Sequence, residues 1–543
     1  MSPVLRRGLF ESMFAAPFFM NKPRVTIYDT TLRDGTQGTG ISFSMLDKIR
    51  VAEKLDDFGV HYIEGGFPGS NPKDAEFFNE AKKRTWKNAK IAAFGATRRG
   101  KMKVEDDPQV RILLGAETPV VTIVGKTWPL QVTEVLGVSL EENLAMISDT
   151  VAYLKKHGRE VLYDAEHFFD SYRDDPKYSL ATLKAAHEAG ADLVVLCDTN
   201  GGSLPEFVAQ ATRDVLATLG EGTVGIHTHN DSGLGVANAL AAVAVGATQV
   251  QGTINGYGER VGNCDLITVV ANLQLKLRTP VVPDLTRLRE LSLFVDELAN
   301  VPHNIRAPYV GTAAFTHKGG QHVHAVQKLA SSYEHVDPML VGNERNISIS
   351  DLSGQSNVIV KAEKLGFKFA KGSPEVTSIL SEVKRLESEG YEFEAAEGSF
   401  ELLVRRQLGL SRPLFELQEY HCSFRRAGGS LWNKCEATVK LRVNDTPEYT
   451  VAEGDGPVNA LDGALRKALR PFYPAIDRIQ LDDYKVRILN GQQGTAARTR
   501  VLIGSTDGHA SWGTVGVSDN IIEASWLALV DSFEFKLGRD ERR

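Results

Sequence analysis

The run HTHND (227–231) sets two imidazoles two residues apart. On a β-strand such residues point to one face. Two imidazoles with a carboxylate suit a divalent metal that keeps open positions for substrate. Asp34 is the best carboxylate to join His227 and His229, and Asn263 could add a carbonyl oxygen. An isolated HxH is more often a pair of core or hydrogen-bonding histidines, so the motif depends on its context. Arg33 offers a fixed cation for a substrate carboxylate or a developing oxyanion; a structural salt bridge is about as common. Glu64 and Glu166 are candidate acid–base groups, or groups that orient one, and each could also be a plain ion pair. Thr199 could hydrogen-bond a carboxylate, cap a helix, or both. The glycines of GYGERVGN (256–263) fit a loop whose backbone must come close to its neighbours, or simply a tight turn. Farther on, FTHKGGQHVHAVQK holds His317, His322 and His324 near Lys318. These could form a second metal site. One catalytic histidine on a segment that reaches a barrel mouth, its own or a partner's, is the better reading, because the barrel already has a full ligand set.

The elements that must position these groups follow a regular rhythm. From Pro23, short β-branched or apolar runs alternate with helical stretches, the pattern of βα units and a parallel sheet. Strands are expected near 25–28, 62–64, 90–94, 120–124, 161–163, 193–197, 224–227 and 249–253. Helices follow them, for example Ser44–Phe58 with Ser44 as N-cap, and Leu140–Lys156. Eight units over residues 24–280 match a (β/α)8 TIM barrel. In that fold the functional groups stand at the carboxyl ends of the strands, where Arg33, Asp34, Glu64, Asp164, Glu166, Asp198, Thr199, His227, His229 and Asn263 fall. A doubly wound sheet is the alternative, but its first strand would lead into a glycine-rich turn. Here it leads into YDTTLRDGTQ (28–37). Gly220, Gly222 and Gly225 spell GxGxxG, yet they precede a strand and open no helix, so a helix end and loop is expected there. Residues 281–399 read as a mixed connecting region with a helix at Glu375–Glu389. Residues 400–543 read as an α+β module of two βββα-like units, with helices at Asn459–Leu469 and Ile521–Phe533.

Composition narrows the class. The 543 residues are 42% hydrophobic and 24% charged, ordinary globular usage for a chain of several domains. A net charge of −7 gives no general field for nucleic acid. There is no apolar run of about 18 residues, so no membrane span is expected. Four cysteines without CxxC spacing argue against a zinc ribbon or a secreted disulfide framework and fit a reducing cytoplasm. Residues 1–23 hold two arginines and an apolar stretch broken by Glu11, and no small-residue cleavage site follows. They read as a disordered extension, or as a start assigned early, with Met20 next to the first structured segment.

YDTTLRDGTQ (28–37), IEGGFP (63–68), HTHND, GYGERVGN and FTHKGGQH (315–322) resemble the acyl-CoA-condensing metalloenzymes that include 2-isopropylmalate, homocitrate and citramalate synthases. The group extends to the lyase of hydroxymethylglutaryl-CoA. The match runs from about residue 24 to the end. It implies that Asp34, His227 and His229 bind a divalent metal (Mg2+, Mn2+ or Zn2+) with Asn263 close by. Arg33 would polarise the keto group of a 2-oxo acid. Glu166 and Thr199 would border that substrate, and Glu64 would lie in the same pocket. His322 would serve acid–base catalysis around acetyl-CoA; no tyrosine in VGNERNISISDLSG answers securely to one that assists some relatives. The implied reaction is a Claisen condensation of acetyl-CoA followed by thioester hydrolysis. GTGISFSMLDKIRVAEKLDDFGV, AEGDGPVNALDGALRKAL and WGTVGVSDNIIEASW resemble the branch that takes pyruvate toward isoleucine. 2-Oxoisovalerate, on the way to leucine, is the alternative substrate. The tail resembles this family's allosteric, dimer-forming module, which implies isoleucine as feedback inhibitor and a homodimer or higher oligomer.

Overall fold

The computed structural model describes residues 24–350, 353–425, 434–489 and 497–540. The extension expected over residues 1–23 lies outside them. The described residues fall into two compact units, 24–315 with 336–344, and 316–335 with 345–540.

In the first unit, β1 (Thr26–Asp29), β2 (Tyr62–Gly66), β3 (Lys90–Ala96), β4 (Val120–Lys126), β5 (Glu160–Glu166), β6 (Leu193–Asp198), β7 (Val224–Thr228) and β8 (Gln249–Gly252) close into a parallel barrel in sequence order. β8 pairs back onto β1, with Ile27 opposite Val250. All eight expected strands are present, with ends displaced by only a few residues. Both faces of these strands are covered, which is why they read as apolar runs. Outward residues such as Ile27, Ile63, Ile91, Val121, Val194 and Ile226 join the core under the helices. Inward residues Tyr28, Ala92, Val120, Leu162, Val195 and Cys197 fill the barrel.

The helices begin and end where local chemistry directs. Ser44 caps Met45–Phe58 reciprocally: its hydroxyl accepts from the Asp47 N–H, and the Asp47 carboxylate accepts from the Ser44 N–H. Ser139 caps Leu140–Lys156. Gly220 closes Pro205–Leu219 and Gly225 lies on β7, so the apparent dinucleotide motif is a helix end and a strand.

In the second unit, β9 (Thr316–His317) pairs with β10 (Asn346–Ile347). Helices Gly320–Lys328, Gln355–Lys364, Pro374–Ser388 and Glu397–Gln407 follow. Two antiparallel sheets come next, each backed by a helix. β11 (Glu416–Arg425), β12 (Lys434–Val443) and β13 (Thr446–Gly454) precede the helix Pro457–Leu469, and β14 (Gln480–Ile488), β15 (Thr499–Thr506) and β16 (Ser511–Ser518) precede Ile521–Asp540. This is the doubled βββα arrangement expected, with β11 the one of its strands that the sequence pattern does not mark. Cys435, Ala437, Val439, Leu441 and Val443 alternate inward along β12 onto the first of these helices. Among the described residues, no helix is long and apolar enough to cross a membrane.

Candidate active site

The carboxyl end of the barrel gathers most of the chosen residues. His227 and His229, two apart at the end of β7, are both buried, with ring centroids 5.3 Å apart. Asp34 stands in the turn after β1, its Oδ2 3.3 Å from His227 Nε2. Asp34, His227 and His229 each offer a ligand atom within 4.8 Å of the others, and they are the only such group of three among the described residues. His317, His322 and His324 therefore form no second cluster of this kind there. Asn263 is buried beside the three; its Nδ2 donates to Asp34 Oδ2 at 2.9 Å.

The donor set fits a divalent metal. His229 Nδ1 and Asn263 Oδ1 are buried without a hydrogen-bond partner, an unfavourable state that ligation relieves. Burial, aided by the neighbouring His227, holds the His229 imidazole down to about 4 and so keeps it neutral, as a ligand must be. Burial would raise the Asp34 carboxyl, but Arg33, His227 and His229 together hold it well below the usual carboxylate range. Burial opposes protonation of His227, while Asp34 draws it upward.

Arg33 is held from three sides. Its Nε donates to Glu64 Oε1 at 2.6 Å, its Nη1 lies 3.4 Å from Asp34 Oδ1, and its guanidinium sits 3.8 Å above the Phe94 ring. Glu64, on β2 and fully buried, accepts from the Tyr28 hydroxyl at 2.8 Å with its other oxygen. Tyr28 in turn meets Thr122 Oγ1 at 2.6 Å. Both Glu64 oxygens are engaged in orienting Arg33 and Tyr28.

The other side of the rim is assembled from the ends of β5 and β6. Glu166 pairs with Lys126. Both line a 440 Å³ pocket with Arg98, Arg99, Leu136 and Met146. Thr199 Oγ1 accepts from the His167 N–H at 2.8 Å, so its own proton is free to be donated. His167, at φ 55°, is one of the few non-glycine residues in the left-handed region.

The loop 256–263 explains its glycines. A Cβ on Gly258 (φ 153°) would run into Asn263 Oδ1, and one on Gly262 (φ 111°) into the Gly256 carbonyl. Arg260 clamps the loop to Asp231 (2.7 Å) and to the Thr199 carbonyl (2.7 Å).

His322 belongs to the second unit. It is exposed on the helix Gly320–Lys328, its ring centroid 4.4 Å from that of Tyr333. Tyr333 precedes VGNERNISISDLSG, the stretch in which no tyrosine was assigned. His317 is bound instead to Glu334 at 3.1 Å. Other groups were missed for want of a motif. Phe94 under Arg33 is one, and Gln251 is another; the only signal for it was a pair of polar residues, Gln249 and Gln251, alternating on an apolar strand.

A closed parallel barrel with a His–His–Asp cluster in its mouth matches the HMGL-like family over residues 24–295. The chain belongs to that family. Residues 309–390 match the homocitrate synthase post-HMGL domain-like family, and 394–537 match the LeuA allosteric (dimerisation) domain. An (R)-citramalate synthase of Aquifex aeolicus is 55% identical over 520 residues, covering 95% of this chain and 98% of that enzyme. One from Geobacter sulfurreducens is 51% identical, with 95% and 98% covered. A 2-isopropylmalate synthase of Methanocaldococcus jannaschii is 31% identical, with 96% of each covered.

Proposed function

We propose that this chain is an (R)-citramalate synthase, condensing acetyl-CoA with pyruvate and hydrolysing the thioester. The observation that carries the reading is the 55% identity to an enzyme of that activity along nearly the whole chain, against 31% to a 2-isopropylmalate synthase. Asp34, His227 and His229 would hold the divalent metal, with Asn263 beside them. When bound, the metal acts as a Lewis acid toward the oxo acid. Arg33, fixed by Glu64 and Phe94, stabilises the negative charge that grows on the keto oxygen. Glu64 borders the substrate through Arg33, while Thr199 and Glu166 flank it with a hydroxyl donor and a carboxylate. His322 acts as the acid–base group at acetyl-CoA, with Tyr333 alongside.

A methyl proton of acetyl-CoA passes to the base, and the resulting enolate carbon bonds to the keto carbon of pyruvate. The keto oxygen takes up a proton. Water then replaces sulfur at the thioester carbonyl and releases CoA. Residues 24–280 hold the condensing barrel, 281–399 carry His322, and 400–543 form a regulatory and dimer-forming module. Isoleucine is the feedback inhibitor expected of an enzyme that starts its synthesis. A cytoplasmic site accords with four free cysteines.

A CoA-thiol release assay with a panel of 2-oxo acids tests the reading. Pyruvate should exceed 2-oxoisovalerate and 2-oxoglutarate by tenfold or more in kcat/KM; preference for either of the others would sink it. Pocket fit to one added methylene discriminates by about 10- to 200-fold, so the effect is measurable.

A further inference from the structure

The barrel interior contains a buried chain of polar groups that ends on His227. His227 Nδ1 lies 3.0 Å from Gln251 Oε1. Gln251 Nε2 donates to Asp164 Oδ1 at 3.1 Å, and also lies 3.5 Å from Gln249 Oε1. Asp164 is 3% exposed, Gln251 0% and His227 5%. The three residues come from β5, β8 and β7, so the chain crosses the barrel rather than following one strand.

An amide has one accepting end and one donating end. Burial pushes the Asp164 carboxyl up to about 7; ionised above that pH, it can only accept, which turns the Gln251 NH2 toward it and leaves Oε1 facing His227. An accepting oxygen there requires a proton on His227 Nδ1. Nε2, 3.3 Å from Asp34 Oδ2, is then the nitrogen whose lone pair a metal held with Asp34 would take.

We infer that Asp164 and Gln251 are positioning residues that set the tautomer of His227 from across the barrel. Asp164 fixes the amide and the amide fixes the imidazole. The inference rests on the metal reading above for its use, and on the hydrogen-bond geometry for its existence. With the carboxylate gone, Gln251 can turn over and present its NH2 to Nδ1. That moves the imidazole proton to Nε2 and blocks the ligand atom.

The test uses the full chain stripped of metal, with Mn2+ as the probe. Asp164→Asn should weaken Mn2+ binding by about 10- to 100-fold, the usual range for groups that orient a ligand. Long-range 1H–15N spectra at pH 8, where Asp164 is ionised, should show His227 protonated at Nδ1 in the native chain and mixed in the variant. Combining Asp164→Asn with Gln251→Glu reverses the donor and acceptor at the carboxyl end of the relay and keeps an acceptor toward His227. This pair should recover Mn2+ affinity to within about threefold, which a loss from disturbed packing would not do. Unchanged affinity in Asp164→Asn, or no recovery in the pair, overturns the inference. If the variants fail to fold, the native chain still decides: His227 protonated at Nε2 alone overturns it, and a proton on Nδ1 upholds it. A native chain that binds no Mn2+ would overturn the metal reading instead, while the tautomer still reports on the relay.

Discussion

Glu64 is buried with one oxygen on Arg33 and the other on Tyr28. Glu64→Gln preserves the shape and removes the charge. An amide cannot accept from both partners with both of its ends, so Arg33 or Tyr28 loses its partner. Hydrogen bonds to charged groups are worth about 1.5–3 kcal/mol. The variant should lose about 10- to 150-fold in kcat/KM for the oxo acid, with the KM for acetyl-CoA nearly unchanged. Steady-state kinetics varying each substrate in turn would show this; an acetyl-CoA KM raised tenfold would mean that Glu64 does more than hold Arg33. A second residue makes a prediction about pH. Burial pushes the Asp29 carboxyl up to about 7, although Thr31 donates to it from both its N–H and its hydroxyl. A carboxyl raised in the fold keeps its proton while the unfolded chain loses its own. Stability therefore falls as pH rises from about 4 to about 7 and levels off above. Asp29→Asn should remove that fall, changing the difference from native by up to ~4 kcal/mol across the window at about 1.4 kcal/mol per unit. Denaturant melts at pH 4, 5.5 and 7 would measure it, and parallel curves for the two proteins would refute it.

Elements decide how far a sequence can be read. The barrel strands announced themselves because each is buried on both faces, and the helix at Met45–Phe58 because Ser44 and Asp47 form a recognisable cap. β11 (Glu416–Arg425) escaped notice for a physical reason. A bulge between Leu417 and Glu419 breaks its period of two, and Phe424 is 56% exposed, so no clean alternation exists. The candidate site divides in the same way. His227, His229 and Asp34 stand in short motifs, and each motif could be placed at a strand end. Phe94, Gln251 and the bond from Tyr28 to Glu64 join strands far apart in the chain, so no local pattern marks them. The loop 256–263 lies between these cases, since its glycines were visible but their contacts were not. Gly262→Ala tests what they do. The residue is in the left-handed region, and an added Cβ meets the Gly256 carbonyl. Strain of about 1–3 kcal/mol should shift the loop and with it Asn263, which touches Asp34. Turnover should fall at least tenfold while far-UV circular dichroism stays native. Retained turnover would show that the loop tolerates the movement.

At the scale of the whole molecule, the second unit leaves apolar surface uncovered. β14 is exposed along nearly its whole length, with Val486 42% and Ile488 60% accessible. On the other sheet, Tyr449 is 72% and Val451 47% accessible on β13. An open edge strand bearing apolar side chains is an association hazard unless something covers it. Residues 394–537 match a dimerisation domain, and this surface lies within them. A second copy of the chain is the occupant this reading calls for. Light scattering in solution should give twice the mass of one 543-residue chain. Val486→Glu combined with Ile488→Glu sets charges on both copies at once, because in a two-fold pair each substitution appears twice. The variant should run as a single chain at micromolar concentration. Its thermal unfolding should also become independent of protein concentration, since a subunit that stabilises its partner does so by mass action. A variant that remains dimeric would place the contact elsewhere on the module, and a native protein that is monomeric would remove this role from it.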